Sequence, residues 1–298
     1  MLHSDLLNDF NALQPGTSLR EGSTRRLALK LGLGLGFAPA AGQVVAQTVV
    51  KTPEAGLRAG MTQYDVGGYA VPAYYAAPAD KRNLPVVLVV HEIFGVHEHI
   101  ADVCRRFAQA GYLAIAPQLY ARQGDVSGYT DMGKLMADVV SKVPDAQVMA
   151  DLDGALKWAA TQGGDVQRAA ITGFCWGGRI TWLYASHAPI RAAVAWYGRL
   201  VGASGALTPK NPIDIVADLR APVLGLYGEK DGGIPLDTID KMKVALAAGP
   251  AHAKASEFVI YPDAPHAFHA DYRPSYRADA AKDGWTRCLA WLRSHGVA

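Results

Sequence analysis

An α/β fold is predicted for this chain: a doubly wound, mostly parallel sheet with helices on both faces. Three observations carry that expectation. Apolar runs without polar alternation recur along the sequence, above all Pro85-Val86-Val87-Leu88-Val89-Val90, as strands buried on both faces require. Helical patterns separate those runs, so successive strands need right-handed crossovers and pair in parallel. Finally, Gly173-Phe174-Cys175-Trp176-Gly177-Gly178 joins an apolar run to a helical pattern through a turn of small residues.

Taken in order, Thr62 to Ala77 alternates loosely around Gly67-Gly68 and reads as a β-hairpin. The strand 85–90 follows. A helix from about His97 to Ala110 ends at Gly111, and Tyr112 to Ala116 is a strand stopped by Pro117. A helix over roughly Asp145 to Thr161 puts Val148, Met149, Leu152, Leu156 and Ala159 on one face, and Gly163-Gly164 ends it. Ala169 to Thr172 leads into the small-residue turn. Strands at Ala192–Tyr197 and Pro222–Tyr227 come next, then a helix near Leu236–Ala247 and a strand at Phe258–Tyr261. A helix from about Tyr276 to Arg293 closes the chain. The Gly-, Ser- and Pro-rich stretch from Gly202 to Asn211 is a loop. No repeat or second domain is visible, so residues 47–298 form a single domain.

The N-terminus reads differently. Arg25-Arg26 precedes the short, Gly-rich apolar run Leu31 to Phe37, and Val44-Val45-Ala46 offers small residues for cleavage. The pattern resembles a twin-arginine export signal over residues 1–46, implying the twin-arginine machinery as a partner and a periplasmic or secreted mature chain. The apolar run is too short and too rich in glycine to span a bilayer stably. The alternative is a tail that merely contains Arg-Arg.

The 298 residues are 50% apolar and 19% charged, with a formal net charge of +2. Such a balance gives no electrostatic footprint for nucleic acid or an anionic membrane. Three cysteines, Cys104, Cys175 and Cys288, are too few for a disulfide framework. Cys104 and Cys288 fall among apolar neighbours in helical patterns and read as core thiols.

Cys175 is different. Strand, tight turn and helix around Gly-x-Cys-x-Gly form the nucleophile elbow of an α/β-hydrolase, with cysteine in place of serine. The turn lifts one side chain above the carboxyl end of the sheet and leaves the next N–H free for an oxyanion. The competing reading is a buried core cysteine. A thiol titrates near 8.5, so attack at neutral pH needs a base or a positive environment. The loop after strand 222–227, Gly228-Glu229-Lys230-Asp231-Gly232-Gly233, supplies Asp231, an acid placed to orient a histidine unless it only caps the turn. The loop after strand 258–261, Pro262-Asp263-Ala264-Pro265-His266, supplies His266 as base. His269 is the rival, better suited to the surface or to a supporting position. His91-Glu92-Ile93-Phe94-Gly95 follows the first buried strand, where this fold draws its second oxyanion donor. Glu92 there can bond the resting thiol or take its proton. His91, Glu92, His97, Glu98 and His99 lack H-E-x-x-H spacing, so a metal is not expected, and nucleophilic chemistry at Cys175 requires no organic cofactor.

His91-Glu92-Ile93-Phe94-Gly95, Leu119-Tyr120-Ala121-Arg122, the Gly-Phe-Cys-Trp-Gly-Gly elbow, Asp231 and His266 together resemble the dienelactone hydrolase (carboxymethylenebutenolidase) family. The likeness runs from about Tyr64 to the C-terminus. It implies a triad of Cys175, Asp231 and His266, with Glu92 as the acid that holds or deprotonates the thiol. It further implies an oxyanion hole from the N–H groups of Ile93 and Trp176, and Arg122 pairing with a substrate carboxylate. The family's dienelactone-specific members place a second carboxylate-binding arginine four residues after the histidine; here that residue is Ala270, and the nearest arginine is Arg273. The expectation is a hydrolase of a small ester or lactone. A broader carboxylesterase or thioesterase and a non-catalytic periplasmic binding protein are the alternatives.

Overall fold

The computed structural model describes residues 50–298, so the segment read as an export signal lies outside the described residues. An eight-stranded sheet has the order β1-β2-β4-β3-β5-β6-β7-β8. Strands β1 (Leu57–Val66) and β2 (Tyr69–Pro78) form the hairpin, and β2 also pairs antiparallel with β4 (Leu113–Pro117). From β4 onward every pairing is parallel: β3 (Leu84–Val90), β5 (Gly164–Phe174), β6 (Ala192–Trp196), β7 (Val223–Gly228) and β8 (Glu257–Tyr261). Every residue of β3, β4, β6 and β7 is buried, which requires cover on both faces.

Helices supply that cover. Phe107 of α1 (Glu98–Gln109) meets Trp285 of α7 (Ala278–Ser294) with ring centroids 4.6 Å apart. Tyr184 of α4 (Trp176–His187) donates its hydroxyl at 2.9 Å to Asp153 of α3 (Asp145–Thr161). Each buried Val, Leu or Ile of this core contributes about 1.5–3 kcal/mol. Cys104 and Cys288 are fully buried within it, and burial pushes both thiols well above the ordinary cysteine range.

Several elements differ from the sequence expectation. Strand β5 starts at Gly164 rather than Ala169, because its polar first half bulges where Asp165 accepts from the Gln167 N–H and pairs with Arg168. A two-turn helix, α2 (Met132–Asp138), stands where no helical pattern is legible; Asp131 caps it by accepting from the Lys134 N–H at 2.9 Å. The loop after Gly202 ends in a 3-10 helix, Pro212–Asp218, opened by a capping box from Asn211. Helix α5 (Leu236–Ala248) is one residue longer than expected, and the short α6 (Ala251–Lys254) follows it.

Candidate active site

The elbow is set by backbone crowding. Cys175 sits at φ 56° and ψ −115°, a conformation that costs a non-glycine residue of order 1–3 kcal/mol. Close packing holds it there. A Cβ on Gly173 would come within 2.3 Å of the Gly177 carbonyl oxygen, and one on Gly177 within 2.4 Å of the Val90 carbonyl oxygen. The Cys175 N–H donates to the Trp196 carbonyl (3.1 Å) and its carbonyl accepts from Gly178 (3.0 Å), tying the turn to β6 and starting α4. The thiol therefore stands at a helix N-terminus above the carboxyl ends of β3, β5 and β6.

Asp231 and His266 meet although 35 residues separate them. The loops that carry them are laced together: Glu229 N–H donates to Tyr261 and Lys230 N–H to Ala264, each at 3.0 Å. Asp231 accepts from the Gly233 N–H with Oδ1 (2.8 Å), and its Oδ2 accepts from His266 Nδ1 (2.7 Å). That bond occupies Nδ1 and leaves His266 Nε2 available; it is buried and, among the described residues, has no hydrogen-bond partner. Burial works against a charged ring, but the Asp231 carboxylate and the Cys175 sulfur together hold the His266 pKa well above 6.5. Tyr197 packs edge-on against the imidazole, centroids 5.1 Å apart. Among the described residues, His269 has no hydrogen bond or ion pair with Asp231. Contrary to the surface position open to it in the sequence, it is buried and stacked on Phe174.

Glu92 is fully buried on the other side. Its Oε2 accepts from Tyr272 Oη (2.6 Å) and Arg273 Nη2 (3.3 Å), with His97 Nε2 at 3.4 Å. Burial alone would raise its pKa, yet Arg273 first and His97 second hold the carboxyl far below the usual range. Oε1 is buried and unpartnered. His91 is neutral: Nδ1 donates to the Glu92 carbonyl (2.6 Å), Nε2 accepts from the Leu119 N–H (3.1 Å), and burial lowers its pKa to about 4. It ties the β3 loop to the β4 loop and stacks on Trp176 at 5.5 Å. Neither the Ile93 nor the Trp176 N–H makes a hydrogen bond among the described residues; Trp176 follows Cys175 directly, and Ile93 follows β3, the sheet neighbour of β5. Arg122 is paired within the protein: Nη1 donates to Asp151 at 2.5 Å and the guanidinium stacks over Tyr69 at 4.3 Å.

Four site groups escape the sequence reading. Tyr272 and Arg273 are bound to Glu92 across about 180 positions of chain, with no local signal except an arginine near the histidine. The hydroxyls of Tyr120 and Tyr197 are buried without partners, and both feel the charges of Cys175 and Glu92, which with burial raise their pKa values. Buried polar atoms left open around one thiol, Glu92 Oε1 and His266 Nε2 among them, are what a polar substrate or ordered water satisfies. Among the described residues, no group of three or more His, Cys, Asp or Glu is arranged to hold a metal ion, and no helix is long and apolar enough to cross a membrane.

Known proteins share this architecture. The profile of the Dienelactone hydrolase family matches residues 71–296. A protein of Methylorubrum extorquens named "Putative carboxymethylenebutenolidase" is 56% identical over 292 residues, covering 97% of this chain and 98% of that protein. A protein of the same name from Escherichia coli K12 is 56% identical over 263 residues, 88% of this chain and 96% of its own length. The crystal structure named "Putative Dienelactone Hydrolase" from Klebsiella pneumoniae superposes with a TM-score of 0.77 at 59% identity, covering 80% of this chain and 98% of that one. This chain belongs to the dienelactone hydrolase family and is a carboxylic ester hydrolase with the α/β-hydrolase fold.

Proposed function

We propose that the protein hydrolyses a small ester or lactone through a Cys175–His266–Asp231 triad and a thioester intermediate. The observation that carries this reading is the 2.7 Å Asp231–His266 bond, with His266 Nε2 left open beside a cysteine on a strained elbow. The proposed cycle starts from Cys175 as the nucleophilic sulfur and His266 as imidazolium, the form that the Asp231 carboxylate favours on the histidine.

Sulfur attacks the carbonyl carbon, and the negative charge moves to the carbonyl oxygen between the Ile93 and Trp176 N–H groups. As the tetrahedral centre collapses, the C–O bond breaks and the leaving alkoxide takes the Nε2 proton of His266. Neutral His266 then draws a proton from water, whose oxygen attacks the thioester. Collapse of this second centre expels the thiolate and releases the acid, and His266 is again the imidazolium. One ester and one water give one acid and one alcohol; no other reactant enters. A carboxylate held ionised by Arg273 is a weak base, so Glu92 suits the role of acceptor and fixed charge beside the Ile93 loop better than that of proton store.

The test is initial rates of the mature chain on dienelactone and 4-nitrophenyl acetate. Cys175→Ala is expected to abolish turnover of both while leaving the thermal transition in place; full activity in Cys175→Ala would refute the mechanism. The export reading, on Arg25-Arg26 and the run after it, is tested by fractionation: an Arg25→Lys/Arg26→Lys chain should stay in the cytoplasm.

A further inference from the structure

We infer that a cavity packed against the elbow strand binds a small carboxylate with a short apolar body, at a site separate from the triad. The cavity, of about 180 Å³, is lined by Val50, Arg106 of α1, His269 and Tyr276 of the loop after β8, and Lys282 and Trp285 of α7. That volume lies below the roughly 300–1,000 Å³ of sites for drug-sized ligands, so the occupant is small. Among the described residues, none of these side chains hydrogen-bonds to a triad member or to Glu92. His269 joins the cavity to the elbow. Its ring stacks on Phe174, the residue before Cys175, with centroids 5.2 Å apart, and lies 4.5 Å from the Trp196 ring.

The lining carries two cations and no carboxylate. The acids bonded to Arg106 are occupied at both oxygens: Asp102 accepts from Thr52, Arg105 and Arg106, and Asp271 from His99 and Arg106. Those bonds use Arg106 Nε and Nη2 and leave Nη1 without a partner among the described residues. Lys282 Nζ and Tyr276 Oη likewise have no hydrogen bond or ion pair among the described residues. His269 is only 2% exposed, and its enclosed Nδ1 has no partner. Burial, with the charges of His99 and Arg106 beside it, holds the imidazole neutral, so it presents one N–H and one lone pair. A buried ring nitrogen left open is costly, and a ligand or ordered water is what satisfies it. A carboxylate accepts from all of these donors and answers the two positive charges, which a neutral ligand does not. A metal cation is repelled by the same charges. Val50, Ala281 and Trp285 make the rest of the wall apolar, so the anion that fits carries carbon as well as oxygen.

Titration of the full chain with benzoate, followed by heteronuclear NMR of the histidine rings, tests this. The His269 signals are assigned by their loss in His269→Phe, which keeps a flat ring against Phe174; the His266 signals report separately any benzoate at the triad. Benzoate should shift the His269 signals saturably, whereas benzamide, of the same shape without the charge, should not. The dissociation constant read at His269 should rise about tenfold in Lys282→Met and several-fold in Tyr276→Phe. Lys282 is exposed and Tyr276 half-buried, so neither change opens the core. Inorganic phosphate should bind more weakly than benzoate, because it makes no use of the apolar wall. No saturable shift at His269, an equal response to benzamide, or a benzoate affinity unchanged in both Lys282→Met and Tyr276→Phe would overturn the inference. Phosphate binding as tightly as benzoate would refute the apolar body. The readout is binding rather than turnover, so a failure of the proposed triad chemistry leaves this test intact.

Discussion

Two buried carboxylates follow strands β3 and β7, on either side of the strand that leads to Cys175, and they differ in what they face. Asp231 is bound to a histidine, a group that changes charge near neutral pH; Glu92 is bound to an arginine, which does not. In the proposed mechanism proton movement therefore belongs to the Asp231 side, and the Glu92 side is a fixed ion pair that stiffens the loop carrying Ile93. The chemistry of a buried acid is decided by its partner more than by its own burial, since both residues are almost completely enclosed.

Breaking each pair separates the roles. Asp231→Asn should lower kcat/KM by roughly 10³–10⁴-fold, because the amide favours the wrong tautomer of His266 while the fold is kept. The matched His266→Gln should cost as much, and the double variant little more, as expected of residues acting as a unit. A sum of the two losses in the double variant would show that they act independently.

Glu92→Gln removes a buried anion from beside Arg273. Its main effect should be on stability, a loss of roughly 3–5 kcal/mol read by urea denaturation. Adding Arg273→Met should restore part of that loss. If Glu92→Gln instead kept full stability and lost turnover as completely as Asp231→Asn, the division between the two carboxylates would fail.

A third buried acid sharpens the contrast by pH. Burial opposes the charge of Asp271, but His99 (3.1 Å) and Arg106 outweigh it and lower its pKa to about 2. Since an unfolded aspartate titrates near 3.9, this pair stabilises the fold above about pH 4 and loses that contribution, about 2 kcal/mol, as pH falls towards 2. Asp271→Asn should be less stable at neutral pH and show a flatter acid limb between pH 4 and 2. An unchanged limb would mean that the pair contributes nothing.

The same contrast explains what the sequence made legible. Cys175, Asp231 and His266 each stand at the end of a strand in a turn whose glycines or prolines are visible locally, so topology alone converges them. The continuous apolar runs gave β3, β6 and β7 to within one or two residues. Arg273 and Tyr272 were beyond reach, because their partner Glu92 lies at the other end of the domain and side-chain pairing at that distance leaves no periodic trace. The first half of β5 was hidden for another reason: Asp165, Gln167 and Arg168 satisfy their own loop and carry no apolar alternation. Arg122, suggested only by family likeness, proves to be held by Asp151, a contact that no local pattern announces.

The most direct measurement is mass spectrometry of His266→Gln quenched after mixing with 4-nitrophenyl acetate. The thioester mechanism predicts one acetyl group on the peptide containing Cys175, accumulating because the variant lacks the base that activates water. An unmodified Cys175, in a variant that still releases 4-nitrophenol, would contradict nucleophilic catalysis at that residue.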